Sequence, residues 1–199
     1  MAPGTATAAY ELRFGAGRIS LDLLATAHPC ERIVSVEVLC AWITGSGLVP
    51  PHTPLGHADD SWVTGFREVR ACTDQLVRGA LAGPASWPSY DRALERMNDL
   101  ARAAPPALRA VRGVDGSLVR RLERPPVRAE LLGALARDVL ELLTDPVARA
   151  GLRECEGDNC PLVYLDTSRG RRRRWCSSEV CGNRERVARH RRRAALARS

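Results

Sequence analysis

Apolar positions recur most regularly between residues 62 and 80. Trp62, Phe66, Val69, Thr73, Leu76 and Ala80 follow one another at steps of four and three. That period places them on one face of an α-helix, which Gly83-Pro84 ends. Other segments repeat the pattern more briefly. Ser35 caps a helix from Val36 to Thr44, with Val36, Leu39, Cys40 and Ile43 on one face and Gly45 and Gly47 as stops. Pro50 to Gly56 is a loop. Pro88-Ser89 opens a helix with Tyr90, Leu94, Met97 and Ala101 on its apolar side, closed by Pro105-Pro106. Pro125-Pro126 precedes another, with Leu131, Leu135, Val139 and Leu142 at helical spacing, and Asp145-Pro146 ends it.

Two segments depart from this period. Leu12 and Phe14 alternate briefly before a turn at Gly15-Ala16-Gly17, and Leu21, Leu23 and Leu24 follow as a helix or a buried strand. Residues 107–123 read as a hairpin: Leu108 to Val111, a turn at Asp115-Gly116, then Leu118 to Leu122. The expected fold is mainly α with a few short β strands. A disordered leader occupies residues 1–9, a helical body residues 10–150 and a small module residues 151–199.

The small module has a different grammar. Cys155 and Cys160 are separated by four residues, as are Cys176 and Cys181, and fifteen residues lie between the pairs. Two short-spaced cysteine pairs on such a linker are the sequence form of a tetrahedral four-cysteine zinc site. The spacer reads as a hairpin: Leu162 to Leu165 as a strand, Thr167-Ser168-Arg169-Gly170 as a turn, and Arg171 to Trp175 as the return. A polar run suited to a helix follows Gly182-Asn183. A knuckle, a hairpin and a helix whose start carries the last ligand make a treble-clef-like finger holding one structural Zn²⁺. The alternative is two disulfides or four free thiols. A reducing compartment favours metal, and the N-terminus, with no basic start and no apolar core, points to the cytoplasm.

Charge sharpens this picture. From Arg153 to Ser199 there are 13 Arg against 6 acidic residues, so the whole formal net charge of +7 falls on the cysteine-bearing segment. The preceding 152 residues balance at 17 against 17. A neutral body with a basic end is the composition of a nucleic-acid-binding protein. All 30 basic residues are Arg, a side chain that grips phosphate or guanine in a bidentate way. The residues expected to meet nucleic acid are Arg169, Arg171, Arg172, Arg173 and Arg174 on the spacer, and Arg184, Arg186, Arg189, Arg191, Arg192 and Arg193 on the terminal helix.

Trp175-Cys176-Ser177 followed by Cys181-Gly182-Asn183-Arg184, with Cys160, Tyr164, Asp166 and Arg174 upstream, resembles the CGNR zinc-finger family of bacterial proteins. Phe14-Gly15-Ala16-Gly17-Arg18 through Leu21-Asp22 to Thr26, then Glu31-Arg32 and Trp42, resembles the ABATE domain often fused to that finger. The resemblance implies a stress-linked transcription regulator, whose body would sense an effector or mediate dimerisation.

Elsewhere the chain offers little chemistry. Cys30, Cys40 and Cys72 are scattered, and His28, His52 and His57 are not paired at metal spacing. There is no serine elbow, phosphate loop or dinucleotide fingerprint, and no catalytic residue is assigned. Arg18 and Asp22 stand four apart and would pair on a helix, either as a solvated pair or facing a ligand pocket. No run of eighteen apolar residues exists to span a membrane. The expected function is a zinc-dependent, DNA-binding transcription regulator with a small-molecule effector. RNA is the alternative polyanion, and a small-molecule-binding or enzymatic body with a purely structural or protein-docking finger is the alternative of another class. A homodimer suits a DNA reader, though no heptad marks one.

Overall fold

The computed structural model describes residues 12–83 and 88–196; the expected leader, residues 1–9, lies outside them. The body is built from α1 (Ile19–Ala25), α2 (Val36–Gly45), α3 (Asp60–Ala82), α4 (Pro88–Leu100) and α5 (Arg128–Thr144), with a hairpin of β1 (Leu108–Arg112) and β2 (Leu118–Leu122) between α4 and α5. A single turn, α6 (Pro146–Arg149), leads into β3 (Leu152–Glu154) and β4 (Val163–Leu165). A π-turn over Ser178–Gly182 then opens α7 (Asn183–Leu196).

The elements start where local chemistry lets them. The Ser35 hydroxyl accepts from the Val38 amide and the Asp59 carboxylate from the Ser61 amide, satisfying donors that a helix start leaves unpaired. Glu130 reaches back to the Val127 amide at 3.0 Å and closes the first turn of α5. The long stripe of α3 is buried as its period requires, with Phe66, Val69, Leu76 and Val77 inaccessible between α4, α5 and α1. On α2 the buried face is Leu39, Trp42 and Ile43, while Val36 and Cys40 are only partly covered. Trp42 packs edge-on against Phe66 with ring centroids 6.0 Å apart. The expected β1–β2 hairpin forms, with Leu108 opposite Leu122 and Val111 opposite Val119.

The second hairpin differs from expectation. Strand β4 pairs antiparallel with β3, Leu152 opposite Leu165 and Glu154 opposite Val163, and not with residues 171–175. The first cysteine pair therefore occupies the loop between the two strands. The Arg171–Trp175 segment returns without strand pairing: the Arg173 amide donates to Asp166 at 3.0 Å, the Arg173 carbonyl accepts from the Tyr164 hydroxyl at 2.5 Å, and the Arg174 carbonyl accepts from the Glu156 amide at 2.9 Å. A run of four arginines has little to gain from the pleated, half-buried face of a strand.

The cysteine-bearing module is not a separate bead. Leu152, Val163 and Leu165 share one buried cluster with Leu21 and Leu24 of α1, Val77 of α3 and Leu142 of α5. The Leu165 amide donates to the Ala16 carbonyl at 2.7 Å, adding main-chain contact to the apolar seam. Gly17 makes that approach possible: its φ is +94°, and a Cβ there would lie 2.9 Å from the Leu165 Cβ. Gly15, with φ +105°, has open space instead. Gly15→Ala should therefore cost about 1–2 kcal/mol of backbone strain. Gly17→Ala should cost about 1–3 kcal/mol more, because the methyl also overpacks the seam. Paired urea denaturation curves of the two variants check this, and equal losses would deny the close approach its role.

Candidate metal centre and basic face

The four sulfurs converge. Cys155 follows β3 directly, Cys160 precedes β4 after a tight turn, Cys176 follows Trp175, and Cys181 sits in the π-turn. All four Sγ atoms lie within 4.8 Å of one another. Cys176 Sγ is 3.7 Å from both Cys160 Sγ and Cys181 Sγ. A tetrahedron with Zn–S of about 2.3 Å has S···S edges of about 3.8 Å, close to these two separations. A disulfide would need about 2.05 Å, and all four cysteines are free thiols. Among the described residues, this is the group of metal-ligating side chains that comes together.

Local backbone brings each sulfur in. The Cys160 amide donates to the Gly157 carbonyl at 3.0 Å, and Asn159 takes a positive φ of +57° to close the knuckle. A Cβ on Gly157 would lie 3.1 Å from the Cys181 Cβ, so the missing side chain lets the knuckle backbone lie on the site. The Ser177 hydroxyl accepts from the Val180 amide at 3.2 Å and starts the turn that carries Cys181.

Electrostatics describe a site that needs a cation. Burial pushes the Cys155 thiol up, but N–H groups of Cys176 and Gly157 outweigh it, and its pKa ends below the ordinary value. Burial raises Cys181 to about 11. Burial, together with the charge of Cys155 and Cys160, raises Cys176 well beyond the usual thiol range. Four mutually close thiolates repel one another, and a divalent ion is what makes them coexist.

The arginines divide into two groups. Arg173 turns inward: its guanidinium donates to the Trp175 carbonyl at 2.8 Å and to the Cys176 carbonyl, and stacks 4.5 Å over the Tyr164 ring. Tyr164 is fully buried, and burial raises its hydroxyl to about 12, so it stays a donor. Asp166 accepts from the Ser168 and Arg173 amides, and hydrogen bonding to Ser168 holds its carboxyl below the usual range. Arg174 pairs with Glu156 at 2.6 Å while lying over Trp175. Arg171 reaches the Val147 carbonyl at 3.4 Å, and Arg169 and Arg172 are exposed. Along α7, Arg184, Arg186, Arg189 and Arg191 are exposed; of Arg192 and Arg193 only the helical backbone is described.

Arg18 and Asp22 do not pair with each other. Arg18 Nε lies 2.9 Å from Asp138 on α5, with Glu141 at 3.3 Å. Asp22 instead accepts from the Gly15 and Ala16 amides at 2.8 and 2.7 Å. The reason is geometric: Arg18 precedes the first residue of a seven-residue helix in extended conformation, where four-residue spacing no longer puts two side chains side by side. Asp22 lines a cavity against the finger, and Arg18 does not. Arg78 was not legible from the sequence. It reaches from α3 to Glu154 at 3.2 Å and the Pro161 carbonyl at 2.9 Å, tying the body to the knuckle.

A family model for the ABATE domain, described as "Putative stress-induced transcription regulator", matches residues 17–146, more than half of the chain. The chain belongs to the ABATE family. A second model, the CGNR zinc finger, matches residues 152–194 and takes in all four cysteines. No curated protein matches the chain. In this ABATE protein the metal-site geometry thus falls wholly inside the CGNR segment.

Zinc-loaded protein should carry one equivalent of metal, and Cys155→Ser or Cys181→Ser should carry none, as read by metal analysis after gel filtration. Excess chelator should lower the thermal midpoint of the wild type, since an ion bound only by the native state stabilises it, and leave the Cys181→Ser midpoint unchanged. Arg173→Ala should cost about 1–3 kcal/mol through the unpaired carbonyls it leaves, seen as a lower midpoint with zinc bound. A midpoint equal to wild type would mean the inward arginine holds nothing.

Proposed function

We propose that this ABATE protein is a zinc-dependent, DNA-binding transcription regulator. One observation carries the reading: four cysteine sulfurs at zinc-site spacing hold the root of a helix whose Arg184, Arg186, Arg189 and Arg191 all face solvent. Four thiolate ligands leave no open coordination position, so the zinc is structural. Its work is to fix the start of α7 and the Arg169–Arg174 loop in one orientation. Arg173, bound inside the finger, then serves as a positioning residue, while Arg169, Arg172 and the α7 arginines meet the polyanion.

Phosphate contacts from these side chains set register and most of the affinity, and one or two guanidinium groups reach base edges in a groove. DNA is favoured over single-stranded RNA because the finger offers few rings for base stacking. Tyr164 is fully buried, and Trp175 is half-buried with the Arg174 guanidinium 5.3 Å from its ring centroid. Four free thiols gathered for a metal suit the reducing cytoplasm. Among the described residues no helix is long and apolar enough to cross a membrane.

Charge reversal separates this surface from general basicity. Arg184→Glu/Arg186→Glu should weaken binding to a random duplex by more than about tenfold and make the log–log salt slope less negative by about 2. Arg102→Glu, at an exposed arginine two residues past α4, should change neither beyond a small net-charge effect. Fluorescence anisotropy across a salt series gives both quantities. Equal losses from the two proteins would remove the helix from the interface.

A further inference from the structure

Between the body and the finger lies a cavity of about 220 Å³. Its body wall includes Arg13, Asp22 and Ala25, and its finger wall includes Leu162, Cys176 and Val180. Past Phe14 it meets a second cleft lined by Arg172 and Trp175. Residues of the body and of the finger both line the cavity, beside the seam that joins the two. The Leu165 amide meets the Ala16 carbonyl at 2.7 Å beside it.

Its polar groups are incompletely matched. The Arg13 Nε is buried and has no hydrogen-bond partner among the described residues. In the carboxylate of the same wall, Asp22, the Oδ1 oxygen accepts from both the Gly15 and Ala16 amides. A buried N–H without an acceptor is costly and marks a place where an acceptor belongs. The remaining wall is mostly aliphatic. Small binding sites of this kind pair an apolar lining with one or two placed polar groups.

We infer that this seam binds a small organic monoanion: a carboxylate held by Arg13, with a hydrocarbon body against Ala25, Leu162 and Val180. Each part of that description has a cause. A carboxylate matches the fork of a guanidinium. A dianion such as a phosphate monoester is disfavoured by the carboxylates Asp22 in the body wall and Glu179 in the finger wall. The volume lies below the roughly 300–1,000 Å³ of drug-sized sites, so the ligand is a small metabolite. Because the two walls come from the body and the finger, a bound ligand bridges them. The finger wall includes Cys176 itself, so occupancy bears on the segment that carries the metal and roots α7. The inference does not depend on the DNA-binding reading, since it is tested with no nucleic acid present.

The test uses the full, zinc-loaded chain with hexanoate and benzoate, and with hexanol and benzyl alcohol as neutral counterparts, followed by calorimetry and amide NMR. The carboxylates should saturate with amide shifts at both Ala16 and Val180, and bind at least about tenfold more tightly than the alcohols. Arg13→Gln should abolish that preference and leave alcohol binding, zinc content and the circular dichroism spectrum as in the wild type. Ala25→Leu, which fills the cavity, should weaken carboxylate and alcohol alike. The inference is overturned if no carboxylate saturates by about 10 mM, if Arg13→Gln leaves the preference intact, or if the shifts lie away from the seam.

Discussion

Four sulfurs within 4.8 Å of one another, those of Cys155 and Cys181 buried and those of Cys160 and Cys176 half-buried, are the constraint on which the C-terminal quarter of this protein depends. Thiols so placed cannot all ionise without a cation among them. With a divalent ion they become the fixed point that a segment with a sparse apolar core otherwise lacks. What the sulfurs organise is irregular chain: a knuckle closed by Asn159, a return loop pinned by Asp166 and Tyr164, and a π-turn that launches α7. None of these would persist on backbone propensity alone.

The finger nevertheless leans on the body. Strands β3 and β4 are three residues each and gain their burial from α1, α3 and α5 through Leu21, Val77 and Leu142. A two-stranded hairpin is marginal in water by itself, and this one is supported on one side by helices and on the other by the metal site. Whatever changes the seam therefore reaches the metal ligands through a few residues: Ala16 bonds Leu165, and the strand that ends in Leu165 pairs with the strand that precedes Cys155. The exposed arginines of α7 stand at the end of that chain of contacts.

Much of this was legible in the sequence. The α3 stripe, the Ser35 cap, the β1–β2 hairpin and the gathering of the four cysteines all follow from local rules: helical period, capping chemistry, turn residues and ligand spacing. The departures have a shared physical origin, which is contact between residues far apart in the chain. Strand β4 chose β3 over residues 171–175 because Val163 and Leu165 could be buried against the body, which no local pattern reports. Arg18 left Asp22 for Asp138, 120 residues away. Arg173 looks in the sequence like its neighbours, yet it points inward, because a buried tyrosine and two main-chain carbonyls lie within its reach. Trp42 completes the buried stripe with Leu39 three residues earlier, a match the helical period itself contains.

The central claim is that bound metal makes a basic segment into a nucleic-acid-binding surface. Its most direct test is duplex binding across a salt series, with zinc-loaded and chelator-treated protein side by side. The account predicts a log–log slope of roughly −5 for the loaded protein, as about six neutralised phosphates require, and a large loss of affinity on chelation. Equal affinity and slope in the two states would mean the arginines bind as a flexible charged tail, and the metal-held geometry would have no part in recognition.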